Sequence, residues 1–225
     1  MKKIFYIINF LLTLAVFVGN YFYLTEGGLM LKALCSSGFA SLGLLNLLYA
    51  LLNKKKNLMF ANMMSIGLIL AMIGDIVLWF NFIIGAAFFA AGHICYLIAQ
   101  CFLVKIKWQD YLVSGIIFAG AGTFILVCPL LIFWQPIIKW VCFIYALIIS
   151  IMMGKAICNF IRKPNALTAI LAFGSMLFFL SDLMLVFDLF IGIWDWTGNL
   201  CMATYYPAQC LLAYTILQNA KKYNF

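Results

Sequence analysis

The chain has 225 residues, of which 68% are hydrophobic and 9% are charged. Soluble domains are about half apolar and about a quarter charged, and disordered chains are poorer still in apolar residues, so both classes are excluded. A bilayer core about 30 Å thick requires roughly 20 apolar residues per helix, which leaves room for about eight spans. The net charge of +8 comes without a basic stripe interleaved with aromatic residues, so nucleic acid is not an expected partner.

Eight apolar runs follow one another, separated by short polar breaks. Because the runs are continuous rather than alternating, they predict helices and not barrel strands. We expect an all-α polytopic membrane helical bundle that forms a single integral membrane domain over 1–225. The predicted spans are 4–24, 30–52, 57–80, 83–103, 111–128, 132–154, 165–187 and 197–218.

The first run follows Lys2 and Lys3, as the apolar core of a signal peptide would. It is longer than such a core, and no A-x-A-type cleavage site follows it. The pattern therefore predicts a first helix that is retained in the mature protein.

The basic residues are distributed unevenly over the breaks, and this predicts the orientation. Twelve of the fourteen Lys and Arg residues lie on one side, while the breaks on the other side carry Glu26, Asp188 and Asp195. We expect a multi-pass protein of a bacterial inner membrane with both termini in the cytoplasm, whose basic residues also contact anionic membrane lipid. The twelve are Lys2, Lys3, Lys54, Lys55, Lys56, Lys105, Lys107, Lys155, Arg162, Lys163, Lys221 and Lys222.

The two halves of the chain resemble each other. The segment GDIVLWFNFIIG, which begins at Gly74, matches SDLMLVFDLFIG, which begins at Ser181, at five of twelve positions. Four predicted helices in each half give the halves the same orientation, related by an axis along the membrane normal. The pattern predicts a duplication, with repeats 1–107 and 108–225. Further matching pairs are Lys32 with Lys139, Tyr96 with Tyr205 and Gln100 with Gln209.

Ionisable side chains inside membrane spans are costly and mark functional sites. Asp75 and Asp182 lie at equivalent depths in the third and seventh spans, and His93, the only histidine, lies near the middle of the fourth. Polar residues at helical spacing share faces that turn towards other helices, so we predict one polar pocket open towards the outer leaflet. The further candidates for this pocket are Lys32, Lys139, Tyr96, Ser181, Tyr205, Tyr206 and Gln209.

A structural interpretation of these residues stays open. Asp75 and Asp182 could be interhelical ties that pair with Lys32 or Lys139, and the lysines could instead extend to the lipid headgroups. His93 could bond across helices as a neutral imidazole, and the tyrosines could be interfacial aromatic residues.

The polar residues limit the chemistry. Two carboxylates in a low-dielectric site can divide the roles of general acid and base. A lone histidine cannot form a multi-histidine zinc site, although Asp and His together could bind a metal more weakly. The eight cysteines show no CxxC spacing and indicate small hydrophobic residues, and neither a GxSxG elbow nor a glycine-rich phosphate loop is present. We predict a site without cofactor or metal.

The same residues carry a resemblance to the lysoplasmalogenase (YhhN-like) family. Its pattern of GD, FxxG, FxxxHxxY, SD and YYxxQ occurs in this order. The matching stretches are IGLILAMIGDIVLWFNFIIGAAFFAAGHICYLIAQCF at 66–102, AFGSMLFFLSDLMLVFDLF at 172–190 and YYPAQCLLA at 205–213.

The resemblance implies a membrane hydrolase whose lysophospholipid substrate is a lysoplasmalogen. Cleavage of the vinyl ether bond releases a fatty aldehyde and glycerophosphoethanolamine or glycerophosphocholine. An enol ether is protonated at its β-carbon, and water captures the resulting oxocarbenium ion, which requires a desolvated acid and a nearby anion. By this hypothesis Asp75 and Asp182 are the acid and the stabilising or water-activating carboxylate, in either order. His93 and the tyrosines would orient water or the headgroup, and Lys32 or Lys139 would bind the phosphate.

Two other functions remain open from the sequence. A transporter or flippase for a lysolipid or other small amphiphile also uses repeats and intramembrane charges, but its helices would be broken at matching places in both halves. Only Pro207 is such a break, without a counterpart. In a non-catalytic assembly or sensor protein, Asp75 and Asp182 would matter for stability alone.

Overall fold

The computed structural model describes residues 2–53 and 58–221. Within these ranges the chain forms eight α-helices, each long and apolar enough to cross a membrane, so the predicted all-α membrane bundle is confirmed and the protein is an integral multi-pass membrane protein. The helices are α1 (Lys2–Glu26), α2 (Leu29–Leu52), α3 (Leu58–Leu78), α4 (Phe82–Leu103), α5 (Trp108–Val127), α6 (Pro136–Arg162), α7 (Ala166–Phe190) and α8 (Thr197–Lys221).

The sixth helix differs most from its predicted span, 132–154. It begins at Pro136, because a proline in the first turn lacks only an N–H that would have no intrahelical partner. It also continues two turns beyond the predicted end, where Lys155 suggested a break. The Lys155 ammonium bonds to the carbonyl of Val104 at 2.7 Å and to Oδ1 of Asn159 at 2.8 Å, so the charge is satisfied inside the protein.

The connections α1–α2, α3–α4, α5–α6 and α7–α8 lie at one end of the bundle, which we call the outer end after the predicted orientation. The first of them is a tight turn in which Gly27 and Gly28 adopt φ of 71° and 99°, a region that favours glycine. The orientation itself stays a prediction. Four of its basic residues, Lys54, Lys55, Lys56 and Lys222, lie outside the described residues.

The least hydrophobic helix is the one most enclosed by the others. The membrane span in α8 has a mean hydropathy of 1.2, and 67% of it is buried inside the protein. The span in α1 has a mean hydropathy of 1.8, and only 17% of it is buried. Lipid offers no hydrogen-bond partners, so a helix with polar side chains is stable only where other helices supply them. This places Tyr205, Tyr206 and Gln209 of α8 in the interior.

The helices pack in a similar way in the two halves. α3 packs on α4 and α7 on α8, while α2 contacts α8 as α6 contacts α4. This is the pattern of contacts that a duplication predicts, and the duplication itself stays a prediction.

The contact between α5 and α6 depends on a glycine. A Cβ atom at Gly154 would lie 2.8 Å from both the backbone nitrogen and the Cα of Ser114. Because those atoms belong to the backbone of α5, they cannot turn away as the end of a flexible side chain can. The two helices approach this closely only with glycine at position 154.

We therefore expect Gly154→Ala to lower the stability of the protein by about 2 kcal/mol through overpacking. Thermal unfolding of the purified protein in detergent measures this. The matched control is Gly115→Ala on α5, where an added Cβ meets nothing within 4 Å and alanine favours the helix. Equal unfolding temperatures for the two variants would contradict the close contact.

Candidate functional site

The first polar network is centred on Asp75 of α3, which is 2% exposed. The Ser36 hydroxyl donates to its Oδ2 at 2.5 Å, and the Tyr205 hydroxyl donates to the same oxygen at 2.7 Å. The Lys32 ammonium lies 3.5 Å from Oδ1. Lys32 and Ser36 are one turn apart on α2 and therefore face α3 together. All three neighbours are hydrogen-bond donors, and an ionised carboxylate has enough lone pairs to accept from all of them.

This network continues inwards along α8. Gln209, one turn after Tyr205, donates from Nε2 to the Tyr205 hydroxyl at 3.2 Å. Its Oε1 accepts from the hydroxyl of Tyr96 on α4 at 3.0 Å. The chain of bonds ties three helices together around Asp75, and it uses both polar atoms of the buried Gln209 side chain.

The second network is centred on Asp182 of α7. The Tyr145 hydroxyl of α6 donates to Oδ2 of Asp182 at 2.8 Å and lies 2.8 Å from Nε2 of His93 on α4. Nε2 and Oδ2 are themselves 3.6 Å apart. The other ring nitrogen of His93, Nδ1, is buried and has no hydrogen-bond partner among the described residues.

Aromatic rings separate the two networks. The ring of Phe178 lies 4.5 Å from that of His93 and 5.4 Å from that of Tyr205, measured between centroids. Phe178 therefore bridges the partner Tyr205 of Asp75 and the partner His93 of Asp182, so the two networks are adjacent in the bundle, but each carboxylate has its own set of partners.

Two spaces adjoin these networks. The outer cavity, of about 590 Å³, lies at the outer end and is lined by Lys32, Asp188 and Cys201 among others. The second space, which we call the crevice, is smaller, about 80 Å³, and almost entirely apolar, and Asp182 and Tyr145 lie in its wall. The residues that line both spaces are Leu78, Phe82, Leu185 and Leu189.

The structure brings most of the sequence-predicted residues together, but in two networks rather than one pocket. Tyr206 is buried beside the first, with its hydroxyl 3.4 Å from the Lys32 carbonyl, and Ser181 is buried next to Asp182. Lys139 is not part of either network. Its ammonium bonds to the carbonyl of Leu126 in α5 at 3.1 Å, at an exposed position.

Sequence reasoning missed Tyr145, which joins His93 to Asp182. Its signal was weak, because a single tyrosine in an apolar run is typical of interfacial and core positions as well. A tyrosine well inside a span, away from the aromatic belt, was the only indication available.

A third polar cluster lies at the opposite, inner end of the bundle. Asp110 of α5 forms an ion pair with Lys155 of α6 at 3.3 Å and another with Arg162. Asp110 is 4% exposed and Lys155 is 1% exposed. The cluster ties α5 to α6 and to the connection before α5. No group of three or more His, Cys, Asp or Glu side chains comes together anywhere in the described part of the chain.

The model of the YhhN family matches residues 35–216. The matched range includes both aspartates, His93 and Tyr145, whereas Lys32 precedes it. The comparisons with curated proteins and with solved structures gave no match. Because the matched range covers most of the chain, the protein belongs to the YhhN family, the lysoplasmalogenase family, and this membership implies a lysoplasmalogenase-like function.

Proposed function

We propose that the protein hydrolyses the vinyl ether bond of lysoplasmalogens to a fatty aldehyde and glycerophosphoethanolamine or glycerophosphocholine. The observation that carries this proposal is the position of Asp182. Its carboxylate is hydrogen-bonded to Tyr145 and lies in the wall of an apolar crevice that adjoins a charged cavity.

The two spaces suit a lysolipid, which has one apolar chain beside a polar headgroup. The vinyl ether lies where the chain meets the glycerol, and this bond would sit at the junction of crevice and cavity. At about 80 Å³ the crevice is too small for a whole acyl-length chain, so the distal part would pass between helices into the lipid. The ammonium of Lys32, which lines the cavity, is the group that would bind the phosphate.

Asp182 is assigned the role of acid because it faces the crevice. A protonated Asp182 gives its proton to the β-carbon of the vinyl ether, and the π electrons form the new C–H bond. The positive charge is then shared by the ether oxygen and the α-carbon, next to the carboxylate that has just formed. Water adds to the α-carbon and returns a proton to Asp182. The hemiacetal then collapses. Its hydroxyl loses a proton as the C=O bond of the aldehyde forms, the C–O bond to glycerol breaks, and the departing glycerol oxygen takes up a proton, so this step neither gains nor loses protons overall.

The network around Asp182 fits both protonation states. When Asp182 is ionised, the Tyr145 hydroxyl donates to it and accepts from an Nε2–H of His93. When Asp182 is protonated, the carboxyl donates to Tyr145, which in turn donates to an unprotonated Nε2. His93 can therefore resupply the proton through one hydroxyl. Its unpartnered Nδ1 offers a position at which water would bind.

Asp75 is assigned the role of stabilising carboxylate. It holds the Lys32 ammonium and the Tyr205 hydroxyl at fixed positions, and the Phe178 ring packs between Tyr205 and His93. Asp75 reaches neither the cavity nor the crevice directly, whereas Asp182 lines the crevice. This difference is the reason for giving proton transfer to Asp182.

The test is to incubate the purified protein with a lysoplasmalogen and to measure the free aldehyde by mass spectrometry. We expect aldehyde from the vinyl ether substrate and none from its saturated alkyl ether analogue, which has no double bond to protonate. An acyl analogue tests for ester hydrolysis in the same assay. The absence of aldehyde, or unchanged rates in both Asp75→Asn and Asp182→Asn, would overturn the proposal.

A further inference from the structure

The outer cavity carries side chains of opposite charge. Lys32, at the start of α2, and Asp188, near the end of α7, both line it. Lys32 is held by Asp75, and the Thr197 hydroxyl donates to Oδ1 of Asp188 at 3.1 Å. Both charged groups are thus anchored by neighbours, and Asp188 remains exposed to the cavity. Neither Asp188 nor Thr197 has a role in the chemistry proposed above.

Aromatic rings complete the lining on the side of the α3–α4 and α5–α6 connections. Trp79 is 52% exposed and Trp134 is 59% exposed, and both line the cavity. Tryptophan faces attract ammonium groups, including quaternary ones that cannot donate a hydrogen bond. Exposed tryptophans also occur in the aromatic belts of membrane proteins. Trp196, which is 52% exposed, does not line the cavity and therefore serves as the comparison for Trp79 and Trp134.

From this arrangement we infer that the outer cavity is a site for a zwitterionic headgroup, in which Lys32 binds the phosphate and Asp188, with Trp79 and Trp134, binds the ammonium. Asp188 is therefore a specificity-determining residue. It would favour ethanolamine and choline headgroups over a headgroup that ends in a bare phosphate, since the bare phosphate places no positive charge near the carboxylate. This inference rests on the proposed function for the identity of the lipid.

The ethanolamine and choline headgroups make different use of the site. The primary ammonium of ethanolamine donates hydrogen bonds to the Asp188 carboxylate. The trimethylammonium of choline has no N–H, so it depends on charge and on the tryptophan faces. Removing the carboxylate should affect both headgroups, while removing a tryptophan ring should affect choline more.

The experiment compares three vinyl ether lysolipids that have the same chain and end in ethanolamine, choline or phosphate. For Asp188→Asn we expect KM to rise about fivefold for the two zwitterionic substrates, which corresponds to the free energy of one exposed ion pair. We expect kcat to stay unchanged. KM for the phosphate substrate should not rise. Asp195→Asn, which removes a charge from the connection after α7 but lies outside the cavity lining, should leave all three values unchanged. Trp79→Ala should raise KM for choline more than Trp196→Ala does.

An equal rise in KM for all three substrates, or no change, would overturn the inference. A failure of the proposed chemistry is distinguishable, because headgroup binding can be measured without turnover. Saturated lysophosphatidylethanolamine and lysophosphatidic acid are titrated against wild type and Asp188→Asn, with binding followed by native mass spectrometry. A selective loss of lysophosphatidylethanolamine binding would support the headgroup site even if no aldehyde forms. An equal affinity of the two proteins for both lipids would overturn it.

Discussion

Replacing Asp182 with asparagine is expected to reduce aldehyde release by about 10³-fold, the range of a lost general acid. Asparagine keeps the shape of the side chain and can still accept a hydrogen bond from Tyr145, so the packing of α6 on α7 should survive. It has no carboxyl proton to give to the β-carbon and no charge to stabilise the oxocarbenium ion. Initial rates with the vinyl ether substrate, measured by mass spectrometry, give kcat and KM.

Two further variants separate proton transfer from structure. Asp195→Asn removes an acidic group from an exposed connection and should keep the wild-type rate and unfolding temperature. Tyr145→Phe removes the hydroxyl between His93 and Asp182 and should lower kcat by about 10-fold, the effect of one hydrogen bond, while KM changes little. If Asp182→Asn keeps the wild-type unfolding temperature and retains activity, the assignment of Asp182 as the acid is wrong.

The sequence was sufficient to predict the architecture, because continuous apolar runs of membrane length rarely form anything other than membrane-spanning helices. It was also sufficient to locate the polar residues, since Asp75, His93 and Asp182 have no place in lipid and must face other helices. The ion pair of Lys32 with Asp75 was one of two pairings that the sequence left open, and Lys32 and Lys139 could not be distinguished there. That distinction depends on where the adjacent helices lie.

The division into two networks could not be predicted, because it depends on the rotation of each helix about its axis. Helical spacing places Tyr205 and Gln209 on one face of α8, but it does not say that this face meets α3. The end of α6 was missed for a similar reason. Lys155 stood among residues predicted to lie at the membrane surface, and nothing in the local pattern indicated that Asp110 and the carbonyl of Val104 would bind it.

The second large effect is expected from the inner cluster. Asp110→Asn leaves the Lys155 ammonium buried beside the Arg162 guanidinium without the acidic partner that both share. Breaking a buried ion pair by removing one partner costs about 3–5 kcal/mol, because the remaining charge is not compensated. We expect a loss of about 3 kcal/mol in the free energy of unfolding, near the lower bound because Lys155 keeps its bonds to Val104 and Asn159.

A double-mutant cycle tests the origin of this loss. Lys155→Met alone should cost less, since Asp110 keeps Arg162 as a partner, and it places an apolar side chain of similar length in the buried position. If the uncompensated charge is the cause, adding Lys155→Met to Asp110→Asn should restore part of the lost stability. Denaturant unfolding in detergent measures all four proteins. Simple additivity of the two single changes would contradict the coupling.

Because the cluster lies at the opposite end from the outer cavity, the headgroup dependence of KM should stay that of the wild type in every variant that folds, which separates this structural tie from the catalytic site.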